Sequence, residues 1–306
     1  MDRYDFCLIT SNVYFDENLI PYHINDLLTI KRANEQHISI FQSNMEGAKN
    51  YFQFHNFLDY GSPCFILNAD NDPIPAPTPR WWLVSFADGI DHTETLNMAG
   101  ELIRPKINFA MQGAIGNEND HYATAHVLLR QHEADRICRE SWMPYRTQLV
   151  TPQAMANFKL YFGKLEGKDV IHETKYAMKL FLDSMSLDMR STLKTLSYFS
   201  VIECLITRHG PPITTQILNN IKPIMERSDT PPDTAKYFGV IEYKKLWETL
   251  YDIRSRIAHG STIKLKPFIK DLGNVNSFLE LVIIEIAKIA LTDPDLVRTL
   301  REKTKY

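Results

Sequence analysis

Apolar and polar positions follow two different rhythms in the two halves of this chain. Before residue 150, short apolar runs stand between polar or turn residues: Phe6-Cys7-Leu8-Ile9, Ile38-Ser39-Ile40-Phe41, Cys64-Phe65-Ile66-Leu67 and Trp81-Trp82-Leu83-Val84. Runs of that length, rich in β-branched and aromatic residues, predict strands. Between them Ile24, Leu27 and Leu28, and later Ala48, Tyr51, Phe52, Phe57 and Leu58, recur at helical spacing, and residues 119–138 predict a further helix. Prolines at 73, 75, 77 and 79 remove amide donors and fix φ, which predicts an exposed extended loop. Pro105 interrupts another helical pattern.

From Thr151 the strand signal disappears. Thr151-Pro152 has the form of an N-cap followed by proline at the first helical position. Apolar residues at a 3.6-residue period then predict helices over 174–187, 190–208, 213–227, 241–259 and 275–291. Gly210-Pro211-Pro212 and Pro231-Pro232 separate them, and Gly260 stands where a helix C-terminus favours glycine. The pattern predicts two domains: α+β over 1–150, and an all-α helical bundle over 151–306. At 306 residues there is chain enough for two cores.

Composition changes this picture little. The 44% hydrophobic and 23% charged content is that of an ordinary globular protein. Cys7, Cys64, Cys138 and Cys204 show no Cys-x-x-Cys spacing and read as reduced thiols. Met1-Asp2-Arg3-Tyr4-Asp5 lacks a basic region with an apolar core behind it, and the apolar 278–291 segment is short and interrupted by Glu280, Glu285 and Lys288. The expected setting is the cytoplasm, with no membrane partner. No Gly-x-Gly-x-x-Gly, P-loop or Gly-x-Ser-x-Gly motif is present, so no cofactor is expected. His121, His126 and His132 lack the i, i+4 spacing of a helical metal site, so no metal is expected either.

Charge matters locally. The net charge is −3, yet residues 244–270 carry seven basic residues (Lys244, Lys245, Arg254, Arg256, Lys264, Lys266, Lys270) against Glu248 and Asp252. Inside this island, at the end of the 241–259 helix, lies Leu250-Tyr251-Asp252-Ile253-Arg254-Ser255-Arg256-Ile257-Ala258-His259-Gly260. Arginine grips phosphate oxygens and histidine trades protons near neutral pH, so the pair is a minimal kit for cutting a phosphodiester without a metal. The same Arg-x4-His spacing occurs at Arg32 and His37, without a following glycine and beside a strand-like run, which reads as coincidence.

The Arg254–Gly260 stretch, together with Leu196-Ser197-Tyr198-Phe199-Ser200-Val201-Ile202-Glu203-Cys204-Leu205 upstream, resembles the HEPN superfamily. The likeness is strongest to its Apea-like branch of bacterial phage-defence proteins and covers the C-terminal half only. It implies a metal-independent endoribonuclease, acting as a homodimer whose two R-x4-H motifs meet in one cleft, with defence or toxin-like growth arrest as its biology. The RNA, tRNA or mRNA, supplies the 2′-hydroxyl nucleophile. His259 is then the general acid or base and Arg254 the stabiliser of charge on phosphate oxygens. Ser255 and Arg256 assist binding, Lys244, Lys245, Lys264 and Lys266 supply a basic surface, and Glu203 orients the arginine or histidine. The N-terminal half is of unrecognised type, a sensor or gate, and a regulatory partner protein is possible.

Helical geometry complicates that reading. Five steps of about 100° put Arg254 and His259 roughly 140° apart on a regular helix. Unwinding at Gly260, the length of arginine, or supply of the two groups by opposite subunits would relieve this. Both residues are expected to be partly exposed, so that alanine at either leaves the melting temperature within a few degrees. The alternative is a non-catalytic helical module that binds RNA or protein, with Arg254 and His259 structural, since basic residues in a last helical turn also favour the macrodipole. A weaker third reading is a scaffold or antitoxin-like protein whose N-terminal half holds the function.

Overall fold

The computed structural model describes residues 5–10, 13–48, 65–67, 73–75, 81–114, 128–129, 146–167 and 172–303. The chain divides into two compact units, Met1–Gly163 and Lys164–Tyr306. The first is α+β and the second mostly helical. The division falls after, not before, most of the helix that Thr151 opens. That helix packs its aromatic residues on the first unit: Phe158 stacks on Phe109 with ring centroids 5.8 Å apart, and Phe162 follows Phe158 at 6.5 Å. A boundary at 150 is therefore corrected to one inside the helix.

In the first unit β3 (Tyr22–His23), β4 (Leu28–Arg32), β7 (Trp82–Phe86), β1 (Phe6–Ile9), β8 (Phe109–Gly113) and β9 (Leu128–Leu129) form, in that spatial order, a six-stranded sheet. All of its pairings are antiparallel. A four-stranded sheet runs β2 (Val13–Phe15), β10 (Arg146–Val150), β5 (Phe65–Leu67), β6 (Pro73–Pro75), with β10 parallel to both its neighbours. Of the proline run only Pro73–Pro75 are described; they are exposed and form β6 at the sheet edge, where missing amide donors are tolerated. Among the described residues its helices are α1 (Glu35–Ala48), α2 (Thr93–Glu101) and most of α3 (Pro152–Glu166). Thr151 Oγ1 accepts from the Ala154 amide at 3.1 Å, the N-cap that its sequence predicts.

Two expected elements differ. Ile38–Phe41 is helical, part of α1. Asn34 Oδ1 accepts from the His37 amide at 2.9 Å and His37 Nδ1 from the Asn34 amide at 3.2 Å, a reciprocal cap that starts a helix and overrides the alternating isoleucines. Ile24, Leu27 and Leu28 are not helical: Asn25 Oδ1 accepts from the Leu27 and Leu28 amides at 2.9 and 2.8 Å, turning the chain from β3 into β4. Trp81 and Trp82 are both buried, where one inward ring is the usual outcome for a strand. Of the helix expected over 119–138 only Leu128 and Leu129 are described, and they are strand; the apolar positions at 51, 52, 57 and 58 lie outside the described residues.

The second unit contains α4 (His172–Met185), α5 (Thr192–Ile206), α6 (Ile213–Met225), α7 (Thr234–Phe238), α8 (Tyr243–Ala258), α9 (Leu272–Thr292) and α10 (Pro294–Lys303). Five of these match the sequence pattern; α7 and α10 are additional. The hub is α5, which packs against α4, α6, α8, α9 and α10. Its Tyr198, Phe199, Val201, Ile202, Leu205 and Ile206 are buried. Thr195 and Asn276 are buried beside them as a satisfied pair, Thr195 Oγ1 donating to Asn276 Oδ1 at 2.8 Å. Asn276 Nδ2 in turn donates to the Met189 and Ser191 carbonyls at 2.7 and 3.2 Å, tying the α4–α5 turn to α9. Among the described residues no helix is long and apolar enough to cross a membrane.

Candidate active site on helix α8

Helix α8 buries Leu246, Trp247, Leu250 and Ile253, spaced as one helical face, while Ile241 and Ile257 at its margins are half-buried. Arg254 stands one turn beyond Leu250 and so lies on the side of the helix turned to the bundle. There it meets Glu203 on α5. Arg254 Nη2 donates to Glu203 Oε2 at 3.1 Å, and Nε lies 3.0 Å from Oε1. The second contact is off the N–H axis, so Nε and Oε1 attract as charges without forming a hydrogen bond. Both side chains are mostly covered, with 21% and 16% of their surface exposed.

Burial pushes the Glu203 carboxyl above the ordinary glutamate range, and the charge and hydrogen bond of Arg254 pull it part of the way back. A carboxyl whose folded value is raised stabilises the fold below its unfolded value and loses that contribution as pH rises through the folded value. Glu203→Gln should therefore gain stability relative to the natural chain as pH climbs through that window. Urea unfolding of the two proteins across pH 4–8 measures it, and parallel curves would refute the burial argument.

Tyr251 completes the surroundings. The Arg254 guanidinium carbon lies over its ring, 5.6 Å from the centroid, and the ring meets Phe199 of α5 edge-to-face at 5.9 Å. Burial first, and then the Glu203 charge, push the Tyr251 hydroxyl upward, while the Arg254 charge acts the other way. Tyr251 was missed in the sequence, although it stands there as the i−3 neighbour of Arg254.

His259 sits apart from this cluster. Helix α8 stays regular through Ala258 and His259 is its C-cap, exposed, with its amide bonded to the Ser255 carbonyl at 3.0 Å. Gly260 has φ +63°; its amide reaches the Ile257 carbonyl at 3.1 Å and the Ser261 amide reaches Arg256 at 2.8 Å. This is a Schellman closure, so the expected unwinding of the last turn does not occur. Arg254 faces the bundle and His259 faces outward, and one chain does not bring them together by local distortion.

The remaining candidates divide by exposure. Ser255 is half-buried and offers its carbonyl to the cap. Arg256 is exposed and donates to Asp252 Oδ2 at 2.8 Å along its own helix. Lys244 pairs loosely with Glu248 at 3.9 Å, and Lys245, Lys264 and Lys266 are exposed. The second Arg-x4-His pair is fully accounted for by structure: Arg32 pairs with Glu17 and lies over Trp82 at 5.0 Å, and His37 caps α1. Among the described residues no group of three or more His, Cys, Asp or Glu side chains could hold a metal ion; His121, His126 and His132 lie outside them.

Comparison of the chain with protein-family models, with curated proteins and with solved structures gave no match.

Proposed function

We propose that the helical unit is a HEPN-like, metal-independent endoribonuclease that cleaves RNA by 2′-hydroxyl transesterification at an Arg254/His259 site shared between two copies of the chain. The observation that carries this reading is the split placement of the motif. A cation is paired with Glu203 on the bundle side of α8, and an exposed imidazole stands at the end of the same helix with a basic segment around it. A fixed guanidinium suits the charge that develops on phosphorane oxygens, and an exposed imidazole suits proton transfer to or from a bound substrate. Because the two groups face different ways, the second copy supplies what one chain does not. A role in phage defence or growth arrest rests on the family resemblance alone, and a cytoplasmic setting on the reading of the cysteines as reduced thiols. The α+β unit, of unrecognised type, is assigned the part of sensor or gate, with or without a regulatory partner protein, within the same proposal.

The test is incubation of purified protein with mixed tRNA and mRNA in excess chelator, followed by analysis of product ends. Fragments ending in 2′,3′-cyclic phosphate support the enzyme; intact RNA, together with unimpaired growth on overexpression, favours the rival. That rival is a non-catalytic helical module, and the Arg254–Glu203 pair favours it by bracing α8 to α5 whatever else it does.

RNA affinity on this reading falls steeply with salt, because Lys and Arg displace counterions from phosphates. Lys244→Ala, Lys245→Ala, Lys264→Ala and Lys266→Ala should each reduce the slope of log affinity against log salt, by about 1 for a direct phosphate contact. Arg256→Ala should weaken binding more than Lys264→Ala. Fluorescence anisotropy with a short RNA from 50 to 300 mM salt measures both effects, and a flat dependence would mean these charges face only water.

A further inference from the structure

We infer that Tyr251 is a further member of the α8 site, a positioning residue whose ring sets the Arg254 guanidinium for end-on capture of a single phosphate group; this rests on the ribonuclease reading above. A guanidinium presents two edges of paired N–H groups, one made by Nε and Nη2 and one by Nη1 and Nη2. Glu203 occupies the first, with contacts of 3.0 and 3.1 Å. The Tyr251 ring lies beneath the guanidinium carbon at 5.6 Å. With one edge and one side taken, the Nη1–Nη2 edge is the donor pair left for a ligand, and its geometry matches two oxygens of one phosphate.

The platform is itself held from another helix: Phe199 of α5 abuts the ring edge-to-face. Tyr251 and Arg254 are i and i+3 on α8, the spacing at which helical side chains meet. A long arginine without such support samples many rotamers, whereas a donor pair fixed before the substrate arrives needs no reorganisation as charge develops. The carboxylate alone would leave the guanidinium free to swing about the Glu203 contact; the ring removes that freedom.

The experiment uses the full chain and four variants: Tyr251→Phe, Tyr251→Leu, Tyr251→Met as the substitute should the leucine variant not fold, and Arg254→Ala as reference. Two quantities are read: kcat and KM on a defined single-stranded RNA in chelator, and hydrogen exchange of the Arg254 Nε–H in arginine-labelled protein, assigned by its loss in Arg254→Ala. Tyr251→Phe keeps the ring and should stay within about two-fold of the natural chain in both. Tyr251→Leu keeps apolar bulk against Phe199 but loses the π face. Its kcat should fall roughly five- to thirty-fold with KM little changed, and its Nε–H should exchange faster. If the leucine variant matches the phenylalanine variant in both readouts, Tyr251 only packs and the inference is wrong. If the phenylalanine variant falls as far as the leucine variant, the hydroxyl rather than the ring is at work, and the platform is again refuted. Should Arg254→Ala cleave normally, or the natural chain not cleave at all, it is the ribonuclease reading that fails, and Nε–H exchange still decides whether Tyr251 fixes the arginine.

Discussion

On the proposed ribonuclease reading, RNA cleavage in excess chelator should fall by ~10²–10⁴ when His259 is replaced by alanine, the usual range for losing a proton-transfer group, and the melting temperature should move by no more than about a degree or two. The second half of that expectation follows from the exposed position of His259 beyond the last turn of α8. Arg254→Ala should lose cleavage as completely but behave differently on heating. It strips the partner from a mostly buried carboxylate, which costs about 1–3 kcal/mol and lowers the melting temperature by several degrees. The sequence alone led us to expect two thermally silent variants; the Arg254–Glu203 pair makes one of them costly. Scanning calorimetry alongside cleavage assays separates the two. Normal cleavage by the His259→Ala protein would remove the proposed mechanism.

Mixing Arg254→Ala chains with His259→Ala chains should restore cleavage that neither has alone. In a twofold dimer of the proposed kind, a mixed pair keeps one intact arginine and one intact histidine, on opposite subunits. Random re-pairing makes half of the dimers mixed, and each retains one functional combination, so recovery of roughly a quarter of the natural activity is the expectation if the two sites work independently. The outward turn of His259 relative to Arg254 makes this result more informative than it would be for a motif gathered on one face. No recovery, together with a monomeric mass at micromolar concentration, would leave the RNA-binding module as the better account.

Five helices of the second unit were legible because each carries a 3.6-residue apolar period with marked ends: Asp271 capping α9 through the Asn274 amide and Gly260 closing α8 are examples. The errors lie where a short polar contact overrides a pattern of apolar residues. Asn34 and His37 turn an apparent strand into α1, and Asn25 turns an apparent helix into a hairpin. Arg254, His259 and Glu203 could be picked out as residue types in a spacing. That Glu203 takes the arginine and leaves the histidine alone depends on how α5 crosses α8, which no local window contains. The role of Tyr251 was hidden for the same reason, since its ring meets Phe199 only after α5 has packed against α8.

The packing of α5 against five other helices has a consequence for the order in which the unit comes apart. Amides in a helix surrounded on that many sides exchange with solvent only when the whole unit opens, whereas short or peripheral elements such as α7 and α10 fray at far lower free energy. Glu203 is carried by the slow-exchanging helix. The carboxylate that holds Arg254 therefore keeps its place through partial opening at the edges, and on warming the site should be lost together with the unit's cooperative transition rather than before it.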